Sequence, residues 1–208
     1  MAQQAINFNI LQEFPIMLVI SGPSGVGKDT VLRALKKSIL PIHHVITANT
    51  RTPRKDEREG VDYFFVTRQY FEEMIKNNEL VEYSRVYDDY KGVPKAQIRE
   101  ALASGKDVVL RLDVQGANKI KKIYPQAILI FLAPSSKEEW LKRLGSRHVS
   151  EEKDIETRIA TIKMEMEHAR KFDYIVINAQ NKLDETIKII ESIIIAEHHK
   201  PSQKKIEI

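Results

Sequence analysis

Val19–Leu32, VISGPSGVGKDTVL, is an apolar run that breaks into glycines and a lysine before apolar residues return. The part before Gly22 reads as a buried strand. Val31, Leu32, Leu35 and Ile39 then recur at helical spacing, which predicts a helix from Lys28 to Leu40, ended by Pro41. Gly22, Pro23, Ser24, Gly25, Val26 and Gly27 form the turn between them. Its glycines let successive backbone N–H groups curl toward one anion, and the next helix aims its positive end at the same place. Lys28 adds a full charge for the outer phosphates of a nucleotide. The pattern G-x-x-x-x-G-K-[ST] holds from Gly22 to Lys28 and fails at Asp29, with Thr30 one place late. The usual hydroxyl at that place ligates Mg2+, and a carboxylate is a stronger ligand for so hard a cation. Asp29 is therefore expected to hold Mg2+, directly or through water. In the alternative, Asp29 points away and Thr30 or water serves the metal.

Outward from this loop, the 208 residues suit one domain. Thirty-three Lys and Arg against 29 Asp and Glu leave a net charge of +4, too small a surplus to argue for a nucleic-acid partner. With no Cys, disulfides and thiolate metal sites are excluded. No apolar run is long enough to span a bilayer, and the first fifteen residues carry no Lys or Arg, so neither a membrane partner nor a signal peptide is expected. The expectation is a cytoplasmic protein, a monomer or small homo-oligomer.

Strand-like runs, "PIMLVISG", "DVVLRLDV", "AILIFLA" and "YIVIN", alternate with helical ones. The helical runs are Pro94 to Gly105, Asn118 to Ile123, Ser136 to Arg147, Glu151 to Lys171 and "LDETIKIIESIIIAE". This predicts an α/β fold with a parallel sheet covered on both faces. Thr47 to Val93 differs: "YFFV" and "LVEYSRV" look half exposed, a helix capped by Thr67 runs to Asn77, and "YDDYKG" reads as a turn. That segment is expected to form a small antiparallel lobe.

In order and spacing, "SGPSGVGK", "TRTPRKDEREGVDYFFV", "NNELVEYSRVY", "DVQGA", "IFLAPSS", "KRLGSR" and "VIN" resemble the guanylate kinases, which phosphorylate GMP with ATP. The likeness runs from about Ile16 to Glu197. It implies a P-loop core at about 14–46, 94–134 and 170–198, a GMP-binding lobe at 47–93, a helical lid at 135–169 and a frayed tail at 199–208. It also implies ATP as phosphate donor and Mg2+ as cofactor. By position, Arg51 and Arg54 clamp the GMP phosphate, Tyr63 adds its hydroxyl, and Thr47 and Glu82 meet the guanine. Asp113 lies near GMP and reaches Mg2+ through water. Arg143, Arg147 and Arg158 match arginines of the lid and hinge, and Asn178 falls where the family holds adenine. By themselves these arginines read equally as solvated helix charge, and Glu82 as an outward residue of an edge strand.

The chain departs from the commonest family pattern at linked positions. "YKGV" puts Lys91 where a phosphate-binding Tyr is usual and Val93 where a hydroxyl is usual, and "LRLD" puts Arg111 where an Asp is usual. Some plant plastid-type guanylate kinases are similar here and at "GKDT". Lys91 keeps a donor for the phosphate, and Arg111 offsets the charge of Asp29. Two rival readings remain at this level: a kinase similar to the ribose 1,5-bisphosphate kinases, which share "GPSG-x-GKD", and a non-catalytic guanylate-kinase-like binding module.

Overall fold

The computed structural model describes residues 14–86, 88–145, 165–201 and 206. Its first strand, β1 (Met17–Ser21), is buried along its whole length. It pairs in parallel with β7 (Asp107–Arg111) on one side and β8 (Ile128–Ala133) on the other. Outside them lie β2 (Ile42–His44) and β9 (Tyr174–Ile177), giving the order β2-β7-β1-β8-β9, all parallel. The apolar runs are continuous because both faces are covered. Met17, Val19, Val108, Leu110, Leu129 and Phe131 pack on Ile98 and Ala101 of α3 (Lys95–Ala103) and Ala117 and Ile120 of α4 (Val114–Ile123). Leu18, Ile20, Val109, Ile130 and Leu132 pack on α1 (Lys28–Leu35) and α6 (Leu183–His198) through Val31, Leu35, Ile190 and Ile194.

The second sheet holds β3 (Ala48–Asn49), β4 (Phe64–Phe65), β5 (Leu80–Val86) and β6 (Asp89–Pro94) in the order β4-β3-β6-β5. It is backed by α2 (Arg68–Lys76), whose cap Thr67 accepts the Tyr70 N–H at 3.1 Å. Phe71 is fully buried there and stacks on Tyr90 with ring centroids 5.3 Å apart.

The structure changes several sequence expectations. The helix after the glycine loop ends at Leu35 rather than Leu40. Lys37 and Ser38 bond back to Ala34 and Leu35 in tight three-residue steps, and Ile39 is 99% exposed. The lobe is mixed rather than antiparallel, since β3 and β4 run parallel. Most of "YDDYKG" is strand: Asp89, Tyr90, Lys91 and Gly92 pair with Val86, Arg85, Ser84 and Tyr83. Gly92 is required there, because a Cβ would stand 2.9 Å from the Phe71 ring. β2 and β3 have two or three residues each, too short for a periodic signal. α4 starts at Val114, four residues before the expected Asn118, because Asp113 caps it. The charged helix from Ser136 appears as α5 (Lys137–Gly145), with the Ser136 hydroxyl accepting the Glu139 N–H at 3.2 Å. Of the expected Glu151–Lys171 helix, residues 165–168 are helical and Ala169–Lys171 form a 3-10 turn; the rest lies outside the described residues. No helix among the described residues is long and apolar enough to cross a membrane.

The seat of the glycine loop leaves no room for a side chain. Gly22 has φ of 139°, and a Cβ on it would lie 2.3 Å from the Leu132 carbonyl oxygen. Gly22→Ala is expected to destabilise the protein by about 3 kcal/mol, from overpacking plus backbone strain. Urea unfolding of the two proteins measures it.

Candidate active site

The loop after β1 is held from outside. Gly25 and Gly27 take φ of 86° and 100°, the left-handed region that an anion-cradling turn needs. The Asn178 amide donates to the Val26 carbonyl at 2.8 Å and would stand 2.7 Å from a Cβ on Gly27. Its own oxygen accepts the Thr186 hydroxyl at 3.1 Å. From α5, the Trp140 indole N–H donates to the Ser24 carbonyl at 2.8 Å, and Arg143 donates to the Val26 carbonyl at 3.1 Å while paired with Glu139. With carbonyls tied outward, the loop can present N–H groups inward. Asn178, expected against adenine, is 5% exposed and braces the loop through these hydrogen bonds.

Lys28 folds back onto the same loop. Its ammonium donates to the carbonyls of Gly22 at 2.5 Å and Pro23 at 3.1 Å. Enclosure by the loop pulls its pKa down to about 8, against the opposing pull of Glu165 and Asp29. Glu165 accepts the Ser24 N–H, and burial holds its carboxyl above the usual range. A carboxylate thus sits at the loop's own anion donors, and sequence reading had not singled it out.

Asp29, expected as a magnesium ligand, lies in the first turn of α1 with one carboxylate oxygen on Arg111. Thr30 is exposed on the same turn. Arg111 leaves the end of β7, donates from its other terminal nitrogen to the Asp62 carbonyl at 2.7 Å, and lies 4.0 Å from the centre of the Tyr63 ring. The offset of charge expected between residues 29 and 111 is a direct ion pair.

Across from it, the segment between β3 and β4 is tightly knit by hydrogen bonds. Arg51 pairs with Glu57 at 2.5 Å, Arg54 lies 3.9 Å from the same carboxylate, and the Arg54 N–H donates to it at 2.9 Å. Glu57, which sequence reading missed, therefore sets both expected phosphate-clamping arginines. Its only signal was a place three residues after Arg54. The Arg51 guanidinium is 5.5 Å from the Tyr63 ring centre, so Tyr63 is addressed by two arginines. Lys91 pairs in register with Ser84 and Asn49. Burial lowers its pKa, with Asp113 opposing and Arg51 and Arg111 adding to the fall.

The inward face of β5 carries Leu80, Glu82 and Ser84, two residues apart. The Glu82 side chain is 1% exposed, and its Oε2 has no hydrogen-bond partner; Lys119 stands 3.9 Å away. Burial pushes its carboxyl up to about 8, the charge of Asp113 adds to this, and Lys119 opposes it. Gly116 makes room at the start of α4, since a Cβ there would be 3.0 Å from Glu82 Oε1. Asp113 accepts the Gly116 N–H at 2.9 Å and the Ser84 hydroxyl at 2.6 Å. Thr47 is buried at 4% exposure beside this sheet, and Val93 is the cross-strand partner of Glu82. A buried acceptor left unsatisfied is costly and calls for an incoming donor.

The structure thus gathers Lys28, Asp29, Arg51, Tyr63, Lys91, Arg111 and Asp113 around one mixed-charge site. Arg147 and Arg158 lie outside the described residues. Among the described residues no group of three His, Cys, Asp or Glu could by itself hold a metal.

The guanylate kinase family model matches residues 15–197. The chain is 44% identical to guanylate kinase 2, chloroplastic/mitochondrial, of Oryza sativa subsp. japonica, over 93% of this chain and 68% of that protein. It is 40% identical to the guanylate kinase of Clostridioides difficile, over 91% of this chain and 92% of that protein. The crystal structure of guanylate kinase from Anaplasma phagocytophilum superposes with a TM-score of 0.75 at 30% identity, covering 91% of this chain and 89% of the other. A P-loop core with a second mixed sheet, arginines set by Glu57 and a buried, unsatisfied Glu82 stand together with these likenesses, and the chain belongs to the guanylate kinase family.

Proposed function

We propose that the protein transfers the γ-phosphoryl group of ATP to GMP, and to dGMP, giving ADP and the diphosphate, in the cytoplasm. The observation that carries this reading is Glu82, a buried carboxyl group with an oxygen that has no hydrogen-bond partner. Guanine offers N1–H and a 2-amino group side by side to such an acceptor. Adenine meets it with the N1 lone pair, so the same residue rejects AMP. A ribose bisphosphate has no use for this pocket, and a non-catalytic module has none for Lys28 in an intact glycine loop.

Phosphoryl transfer asks the protein for alignment and positive charge rather than covalent chemistry. In this reading Lys28 turns from the Gly22 and Pro23 carbonyls to the ATP phosphates. Arg51, Arg54, Lys91 and the Tyr63 hydroxyl hold the GMP phosphate. Arg143 lies against the loop at Val26, and Arg147 and Arg158 belong to the reading as further charge on the moving group. When bound, Mg2+ would supply positive charge to offset the negative charge of the phosphates. Asp113 fits it through water: each of its oxygens accepts one hydrogen bond, which leaves further lone pairs. Asp29 would reach it with a carboxylate that already pairs with Arg111 through one oxygen.

With ATP and Mg2+, a coupled assay is expected to show kcat/KM for GMP at least about 100-fold above that for AMP, with IMP between them. Equal turnover of GMP and AMP would overturn the reading. The KM for GMP should also fall as pH rises toward about 8, because burial keeps the Glu82 proton on until that range and only the carboxylate accepts both guanine donors.

Glu82→Gln should move activity and stability in opposite directions. The folded-state pKa of about 8 lies above the ordinary 4.5. Between those values the unfolded chain releases the proton and the folded chain keeps it, so Glu82 lowers stability progressively as pH rises through that window. Glutamine has no such loss. The variant should melt higher than the unaltered protein at pH 8, match it near pH 4, and lose about 100-fold in kcat/KM for GMP.

A further inference from the structure

Arg111 stands where the family commonly has a carboxylate, and its three contacts reach two separate parts of the fold. One terminal nitrogen pairs with Asp29 on α1, 82 residues away in sequence. The other donates to the Asp62 carbonyl, 49 residues away. The face of the guanidinium lies against Tyr63, 4.0 Å from the ring centre. The side chain is only 10% exposed, so these contacts define its position.

Two of the three fall on adjacent residues, Asp62 and Tyr63. Arg111 grips Tyr63 at the ring face and at the peptide carbonyl immediately before it. The Tyr63 carbonyl is separately fixed by the Gly60 N–H at 2.9 Å. A planar fork with a delocalised charge can stack and donate in two directions at once, and a lysine ammonium cannot. A cation this enclosed also needs a counter-ion, and Asp29 supplies it from the first turn after the P-loop. The two departures at 29 and 111 are therefore one device.

We propose that Arg111 is a positioning residue for the acceptor nucleotide that acts through Tyr63, with Asp29 as its anchor, so that the pair ties the P-loop helix to the acceptor lobe. The proposal rests on the reading of GMP as acceptor. In-line transfer depends on where the acceptor oxygen stands relative to the γ-phosphate, and misplacement by an ångström is costly. This chain sets that relation with a side-chain bridge whose two ends lie on the two substrate sites.

The test measures initial rates with GMP and ATP varied in turn, in a background where Asp29→Asn removes the charge that Arg111 offsets. Adding Arg111→Met is expected to lower kcat/KM for GMP about ten-fold and to change KM for ATP less than about two-fold. Adding the same change to an Asp29→Asn, Tyr63→Leu background should alter kcat/KM for GMP by less than about two-fold, because the residue through which Arg111 acts is gone. Should the Met variants fail to fold, Arg111→Lys in the otherwise unaltered chain keeps the charge without the fork. It should still lower kcat/KM for GMP several-fold with KM for ATP unchanged. Equal losses with and without Tyr63, a rise in KM for ATP instead, or a fall in melting temperature with unchanged kinetics would each overturn the proposal while leaving GMP kinase activity standing. No GMP turnover by the unaltered chain would overturn the functional reading and the proposal with it.

Discussion

Five strands running the same way put all their carboxyl ends on one side of the molecule, and the site is assembled from the loops and helix starts just beyond those ends. The glycine loop succeeds β1, Thr47 lies three residues past β2, and Arg111 and Asp113 lie at and just beyond the end of β7. α5 comes after β8, and Asn178 after β9. Because both faces of the sheet are packed, the strands have little freedom to slide. Groups distant in sequence are therefore held in fixed relation without contact between every pair.

The charges in the site offset one another in pairs and small groups. Lys28 is opposed by Glu165 and Asp29, Arg111 by Asp29, and Arg51 by Glu57. Glu82 differs, with one lysine at 3.9 Å and a buried oxygen without a hydrogen-bond partner. A fold under selection for stability alone would fill that place with an apolar or neutral side chain. The pocket instead combines a destabilising residue with Gly116, whose missing side chain lets α4 approach it.

Much of this was readable in the sequence because it depends on local spacing. The loop glycines and Lys28 announce themselves through backbone geometry that few other residues permit, and the buried runs of β1, β7 and β8 through length and composition. Glu82 lay in an alternating strand, but periodicity cannot say which face of β5 turns inward, and the family resemblance supplied that. The pairing of Asp29 with Arg111 spans 82 residues. The sequence showed two unusual charges, while only the fold makes them touch. Glu57 was hidden in a charge-dense segment where each residue looked solvated. β6 was hidden because Asp and Gly in "DYKG" are turn formers, and packing of Tyr90 and Gly92 on Phe71 overrode that preference. Asn178 was visible at the end of a strand, yet its use as a brace depends on Gly27 and Thr186 arriving from other elements.

That brace bears on how portable the phosphate-binding loop is. The loop's shape is usually credited to its glycines, as if fourteen residues could be moved to another scaffold intact. Here one wall of the turn is the amide of Asn178, close enough to exclude any side chain at residue 27, and that amide is itself held by Thr186 on α6. The turn is a composite of the loop, Asn178 and α6, with α5 tied to it at Ser24 and Val26. A graft carrying only Val19–Leu32 would lack one side of its mould, and its glycines, released from that wall, would wander among many other shapes.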